Sequence, residues 1–112
     1  TYVEDLCEAY LKLSKAKKLT GHVVNVGTNK EISIRDLSTL IMKKLNIYKK
    51  IKISTERKRV KLSEVDRLLC SNKKIIKETG WVPKTNMQEG LNKTINWLRN
   101  NKNNFKENIY NI

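Results

Sequence analysis

Apolar residues recur at intervals of three and four in separate stretches of this chain, and short apolar runs stand between those stretches. This alternation restricts the fold more than any other feature, because helical stripes and brief strands must each bury one face against a shared core. The expected product is a small mixed helix–strand domain of the α/β class. A chain of 112 residues suffices for one such domain, and it is too short for two.

From residue 3 to about 18, Val3, Leu6, Cys7, Tyr10 and Leu13 fall on one helical face, with acids early and lysines late, as the helix dipole favours. Thr20 and Gly21 end that helix. Residues 22–26, His-Val-Val-Asn-Val, predict a short buried strand ending at Gly27. Residues 31–33 form a brief extended segment. Ser33 and Asp36 resemble a capping box, so a second helix starts at Ile34 and buries Ile34, Leu37, Leu40, Ile41 and Leu45 before Asn46 closes it. Lys alternates with Ile51 and Ile53 at the period of a half-buried strand. The run Leu68-Leu69-Cys70 reads as strand or turn. Asn72 can cap a short helix that packs Ile75 and Ile76 and stops at Gly80, ahead of Trp81-Val82-Pro83.

The last helix has the cleanest start, since Asn86 stands three residues before Glu89, and Met87, Leu91, Thr94, Ile95 and Leu98 follow on one stripe. Beyond it the run Asn100-Asn101-Lys102-Asn103-Asn104 is polar and predicts disorder. The organisation expected is therefore one domain over 1–100 and a polar tail over 101–112.

The formal net charge is +13, which raises nucleic acid as a partner. Two observations count against it. Lys, Asn and Ile account for 43 of the 112 residues, a bias that codon supply in an A+T-rich genome explains. The lysines are also spread along the whole chain, and only seven aromatics accompany them, whereas a groove that stacks bases concentrates charge and interleaves aromatics. Tyr10, Trp81 and Trp97 read as packing residues. A stand-alone basic nucleic-acid module remains the alternative reading. No apolar run approaches the roughly 18 to 20 residues of a bilayer span, and residues 1–5 do not read as a leader. Cys7 and Cys70 stand alone in apolar stretches, without a Cys-x-x-Cys or His partner, so both read as small core residues of a cytoplasmic protein.

Catalytic chemistry finds few candidates. Gly21, Gly27, Gly80 and Gly90 are too far apart for a phosphate loop. His22, the single histidine, opens the expected buried strand and reads as structural. Ser33, Ser38 and Ser63 lack a nucleophile-elbow context. No catalytic, cofactor-binding or metal-ligating residue is expected in this chain. The charged segment Arg57-Lys58-Arg59, followed by Ser63 and Glu64, has two readings. Guanidinium groups grip a pyrophosphate through paired hydrogen bonds, with a hydroxyl or carboxylate nearby for ribose; alternatively, the segment is a solvated loop.

Taken in order, Thr1-Tyr2-Val3-Glu4-Asp5, Val24-Asn25-Val26-Gly27, Ile32-Ser33-Ile34-Arg35-Asp36-Leu37, Ser63-Glu64-Val65 with Asn72-Lys73-Lys74, Gly80-Trp81-Val82-Pro83 and Glu89-Gly90-Leu91 through Trp97 resemble the C-terminal part of extended short-chain dehydrogenase/reductases. The resemblance is to NAD-dependent nucleotide-sugar epimerases and dehydratases. It is greatest to bacterial nucleotide-sugar 4,6-dehydratases of surface-polysaccharide synthesis, through residues 63–68 with Asn72 and Lys74.

The resemblance implies a Rossmann-type parent enzyme whose N-terminal part carries NAD and a Tyr-x-x-x-Lys pair, with this chain as the part that closes over the nucleotide-diphosphate sugar. In such an enzyme a dehydratase oxidises the sugar at carbon 4, eliminates water across carbons 5 and 6 and returns the hydride to carbon 6, whereas an epimerase returns it to carbon 4. The resemblance places Arg59 on the substrate pyrophosphate, Ser63 or Glu64 near the ribose, and Ile34 against the nucleoside. Asp5 matches an aspartate read as structural. Val60 departs from the pattern, standing where the family has Pro after the arginine and removing a preset backbone angle. Tyr10 is followed four residues on by Ser14, and Tyr48 by Lys52 without a helical, Ser-assisted setting. The chain is accordingly expected to be inactive alone, to partner the N-terminal Rossmann half, and to leave its first helix exposed for association between copies without it.

Overall fold

The computed structural model describes residues 1–52 and 67–102. Four α-helices order this part of the chain: α1 (Val3–Lys15), α2 (Ile34–Leu45), α3 (Lys73–Thr79) and α4 (Met87–Asn100), with a 3₁₀ turn at Lys17–Leu19 after the first. Each helix is bounded by local chemistry. Ser33 Oγ accepts from the Asp36 N–H at 3.0 Å and donates to Asp36 Oδ2 at 2.6 Å, so the capping pair at the start of α2 is reciprocal. Asn86 Oδ1 accepts from the Glu89 N–H at 2.9 Å and starts α4. Asn46 (φ 53°) and Gly80 (φ 63°) close α2 and α3 in the left-handed conformation. The first helix stops at Lys15, short of the expected residue 18, because Leu19 N–H bonds to the Ala16 carbonyl and tightens the last residues into the 3₁₀ turn.

The core lies where α1 and α3 meet the segment after α3. Ala9, Ile75 and Trp81 are fully buried there, with Leu13, Val24 and Val26 packed against them. The inward face of α1 is Asp5, Ala9 and Leu13, at successive intervals of four. That differs from the expected stripe. Of the expected residues Leu13 packs on the core and Leu6 is half-buried, but Val3 and Tyr10 are each 60% exposed and Cys7 is exposed, so the buried face is turned from the expected stripe toward Asp5 and Ala9. Burial follows Asp5 because its carboxylate has partners on the far side, described below.

Among the described residues no segment pairs as a β-strand, so the mixed helix–strand expectation is not met at residues 22–26 and 51–52, while Ser33 is extended as expected of residues 31–33 and Ile53 lies outside the described residues. The alternation at 22–26 is real, since Val24 and Val26 are half-buried while Val23 and Asn25 are exposed. Among the described residues the segment has no neighbouring strand. Side chains from the start of α3 meet its carbonyls instead: Lys74 Nζ donates to Val23 O and Asn72 Nδ2 to Gly27 O, each at 2.9 Å. Asn72 thus occupies the cap position of α3 without capping it.

Other burial expectations also change. His22 is exposed, not buried. α2 contains no buried residue, and its first residue, Ile34, is 79% exposed. Ile76 is exposed beside buried Ile75, and Trp97, read as a packing residue, is 56% exposed. Cys70 is partly buried, against Gly27: a Cβ on that glycine would stand 2.7 Å from Cys70 Sγ. No helix of the described residues is long and apolar enough to cross a membrane. The last helix, α4, ends at Asn100, and of the expected tail, residues 103–112 lie outside the described part.

Candidate functional site

A cleft of about 640 Å³ opens between the loop that precedes α2 and the start of α4, within the size range of small-ligand sites. Lys30, Glu31 and Ile32 wall one side; Lys84, Thr85 and Met87 wall the other. Tyr2 also lines it and packs on Gly90, where an added Cβ would lie 3.4 Å from Tyr2 Cδ2. The absence of a side chain at Gly90 lets α4 approach the Tyr2 ring. Lys93 Nζ stands 5.0 Å from the centre of that ring, held by Glu4 at 3.3 Å and Glu89 at 3.4 Å, and Glu4 and Glu89 raise its pKa.

One wall of the cleft is fixed by Asp5. Its Oδ2 accepts from the Thr85 N–H at 2.9 Å, and its backbone carbonyl accepts from the Trp81 indole N–H at 2.9 Å. Burial alone would push the Asp5 carboxyl up, but hydrogen bonds from the Thr85 and Lys84 backbone and the Thr85 hydroxyl, with the Lys84 charge, outweigh burial and hold it below its ordinary value. The next wall residue is tied to the same helix, because Lys84 Nζ lies 2.8 Å from Glu8 Oε2. Their hydrogen bond lowers the Glu8 pKa and raises that of Lys84. Residues 81–85 are therefore pinned to α1 at three points, two of them through Asp5.

The opposite wall carries an anchor of another kind. The Arg67 guanidinium grips the Glu31 carboxylate, with Nε donating to Oε1 at 3.0 Å and Nη2 in closer contact with the same oxygen. Arg67 is the first described residue after 53–66, so the chain returns to the described fold at the rim of the cleft.

Of the expected substrate-binding residues, Ile34 sits at the exposed first turn of α2, three residues beyond Glu31. Arg59, Ser63 and Glu64 lie outside the described residues. Tyr48 is 90% exposed and stands outside any helix, as does Lys52. The residues missed in the sequence are Tyr2, Lys30, Glu31 and Lys84. The last three are marked only by charge in loops beside helix starts, which is too common to single them out, and Tyr2 carries no mark of its own.

The described residues hold no group of three His, Cys, Asp or Glu side chains suited to a metal ion. A dinucleotide needs a free helix N-terminus behind a glycine turn. The N-terminus of α2 is already filled by the Ser33–Asp36 pair and that of α4 by Asn86. These two helix starts therefore offer no such site.

Comparison with known proteins now defines the class. The model of the GDP-mannose 4,6 dehydratase family matches residues 1–94, and the chain belongs to that family of short-chain dehydrogenase/reductases. Among its relatives, a dTDP-D-glucose 4,6-dehydratase of Homo sapiens is 32% identical over 108 residues, which cover 94% of this chain and 30% of the human one. A putative UDP-glucose 4-epimerase of Methanocaldococcus jannaschii is 30% identical over 100 residues, covering 89% of this chain and 30% of the relative. A trifunctional UDP-glucose 4,6-dehydratase, 3,5-epimerase and 4-keto-rhamnose reductase of Arabidopsis thaliana is 33% identical over 100 residues, covering 89% and 14%. No solved structure matches the chain. The chain thus spans less than a third of the length of these relatives.

Proposed function

We propose that this chain is the nucleotide-sugar-binding portion of a nucleotide-sugar 4,6-dehydratase or epimerase that serves glycan biosynthesis. The observation that carries the reading is the cleft between the Glu31 loop and the Lys84–Thr85 turn, in a chain of this family. One wall is braced by Asp5, and Arg67 is held on the other. Arg59 lies eight positions before Arg67, an extended reach of up to about 26 Å. Arg59 would grip the diphosphate from that tether, Ser63 or Glu64 would meet the ribose, and Ile34 would lie against the nucleoside. Lys30 and Lys84 supply the cleft with positive charge suited to a diphosphate.

The cofactor of such an enzyme, NAD, would be held by a Rossmann half preceding this part in the whole protein, and so would the catalytic pair. Two features support a missing partner surface. Val3, Cys7 and Tyr10 of α1 are exposed, and residues 22–26 keep strand alternation without a neighbouring strand among the described residues. The relatives lend nothing to the nucleic-acid reading. Titration of the 112-residue chain tests the division of labour: saturable, weak binding of a nucleotide-diphosphate sugar with no binding of NAD is expected. Tight NAD binding would overturn it.

A further inference from the structure

Between α2 and α4 the helices leave a second concavity that the proposed function does not use. Its volume is about 410 Å³, within the range of small-ligand sites, and its walls are Ile41 and Leu45 from α2 and Leu91, Ile95 and Leu98 from α4. Thr94 also lines it, but its hydroxyl is spent on the Gly90 carbonyl at 2.9 Å. Charge enters at one end only, where Arg99 and Lys102 complete the rim. Neither cation has a hydrogen-bonding or acidic partner among the described residues. The neighbouring Lys44 is already engaged, its Nζ donating to Asn92 Oδ1 at 2.7 Å.

We propose that this groove binds a free single-chain anionic amphiphile, of the fatty-acid class, with its alkyl chain laid between α2 and α4 and its carboxylate on Arg99 and Lys102. Charge complementarity selects this occupant. An alkyl carboxylate is apolar along its length and negative at one terminus, which matches walls that are apolar up to a cationic end. Arg99 lies eight positions after Leu91, about 12 Å along the axis of α4, so the tail has a bed of that length before the head meets the cations. Seating the chain removes apolar surface of both partners from water. The head gains charge-assisted hydrogen bonds, and the guanidinium fork can hold a carboxylate through two of them. A second copy is disfavoured by the same rim. Two-fold pairing over the groove would set Arg99 and Lys102 near their own counterparts, in a chain whose formal net charge is +13. A bilayer takes side chains that project from a helix face, whereas these line a concavity.

Methyl NMR of the full chain, titrated with dodecanoate below its micelle-forming concentration, tests this directly. Saturable one-to-one shifts centred on the methyl groups of Ile41, Leu45, Ile95 and Leu98 are expected. Dodecyltrimethylammonium, with the same tail and the opposite head, should bind at least tenfold more weakly. Changing Arg99→Gln and Lys102→Gln together should weaken dodecanoate at least tenfold and leave the melting temperature as it is. Equal affinity for the two amphiphiles overturns the proposal, as does a paired variant that binds dodecanoate as the unsubstituted chain does. Shifts spread over exposed residues such as Val3 and Leu11 would do the same, since they would mean that the tail adheres to any apolar surface. So would groove shifts that arise on concentrating the chain alone, with a doubled solution mass, which would assign the groove to a second copy.

Discussion

The indole N–H of Trp81 donates to the backbone carbonyl of Asp5 at 2.9 Å, across 76 residues of sequence. Trp81 is fully buried, so one side chain fills the core and also fastens the turn before the cleft to α1. Trp81→Phe keeps most of the ring but removes the donor. A loss of about 0.5–1.5 kcal/mol in denaturant unfolding is expected, since one buried hydrogen bond is lost while the Asp5 carbonyl keeps its place as an acceptor within α1. Trp81→Ala should cost about 3–5 kcal/mol through the cavity as well.

Asp5 sets an acid limit on the fold. Its carboxyl lies below its ordinary value in the folded chain, so the folded state binds its proton less readily than the unfolded state. The resulting stabilisation is complete above the ordinary Asp range near pH 4 and is lost as pH falls through the lower folded value. Asp5→Asn should remove this dependence. Urea midpoints measured from pH 6 down to pH 2 should fall less steeply for the variant than for the unsubstituted chain.

Gly27 and Cys70 form a steric pair. A Cβ at residue 27 would meet Cys70 Sγ at 2.7 Å and Cys70 Cβ at 2.8 Å. Gly27→Ala should therefore destabilise by about 1–3 kcal/mol. Adding Cys70→Gly removes both clashing atoms, so the double variant should recover part of that loss. A double-mutant cycle by thermal unfolding reads the coupling.

Much of this arrangement could be read from the sequence where its causes are local. Ser33 with Asp36, Asn86 with Glu89, and the stops at Asn46 and Gly80 involve residues a few positions apart, and the structure places all of them as expected. The orientation of α1 was not legible. Its inward face is chosen by Asp5, whose partner Thr85 is 80 residues away, and apolar periodicity favoured the Val3–Cys7–Tyr10 side. Asn72 misled for the same reason: its residue type suits a helix cap, but its amide serves Gly27 at a separation of 45 residues. The strand at 22–26 was legible as alternation only, since pairing needs a neighbour that the local pattern does not supply. Of the site, Ile34 could be placed at a helix start, while Glu31 was hidden because its role depends on Arg67.

Glu31 gives a test of the site that spares the core. Its contact with Arg67 is solvent-exposed, so Glu31→Ala should leave the unfolding midpoint nearly unchanged. Under the proposed function, untethering residue 67 weakens nucleotide-sugar binding several-fold. Calorimetric titration paired with a melting curve distinguishes a site effect from a folding effect.

The substitution Arg59→Ala, made in the enzyme that carries this chain, bears most directly on the proposed role. Substrate affinity, measured by equilibrium titration with the nucleotide-diphosphate sugar, should fall by about 1.5–3 kcal/mol, or roughly ten- to a hundredfold. NAD affinity and the melting temperature should stay as they are. An unchanged substrate affinity would contradict the account, because it would leave this part of the protein without a hold on the diphosphate.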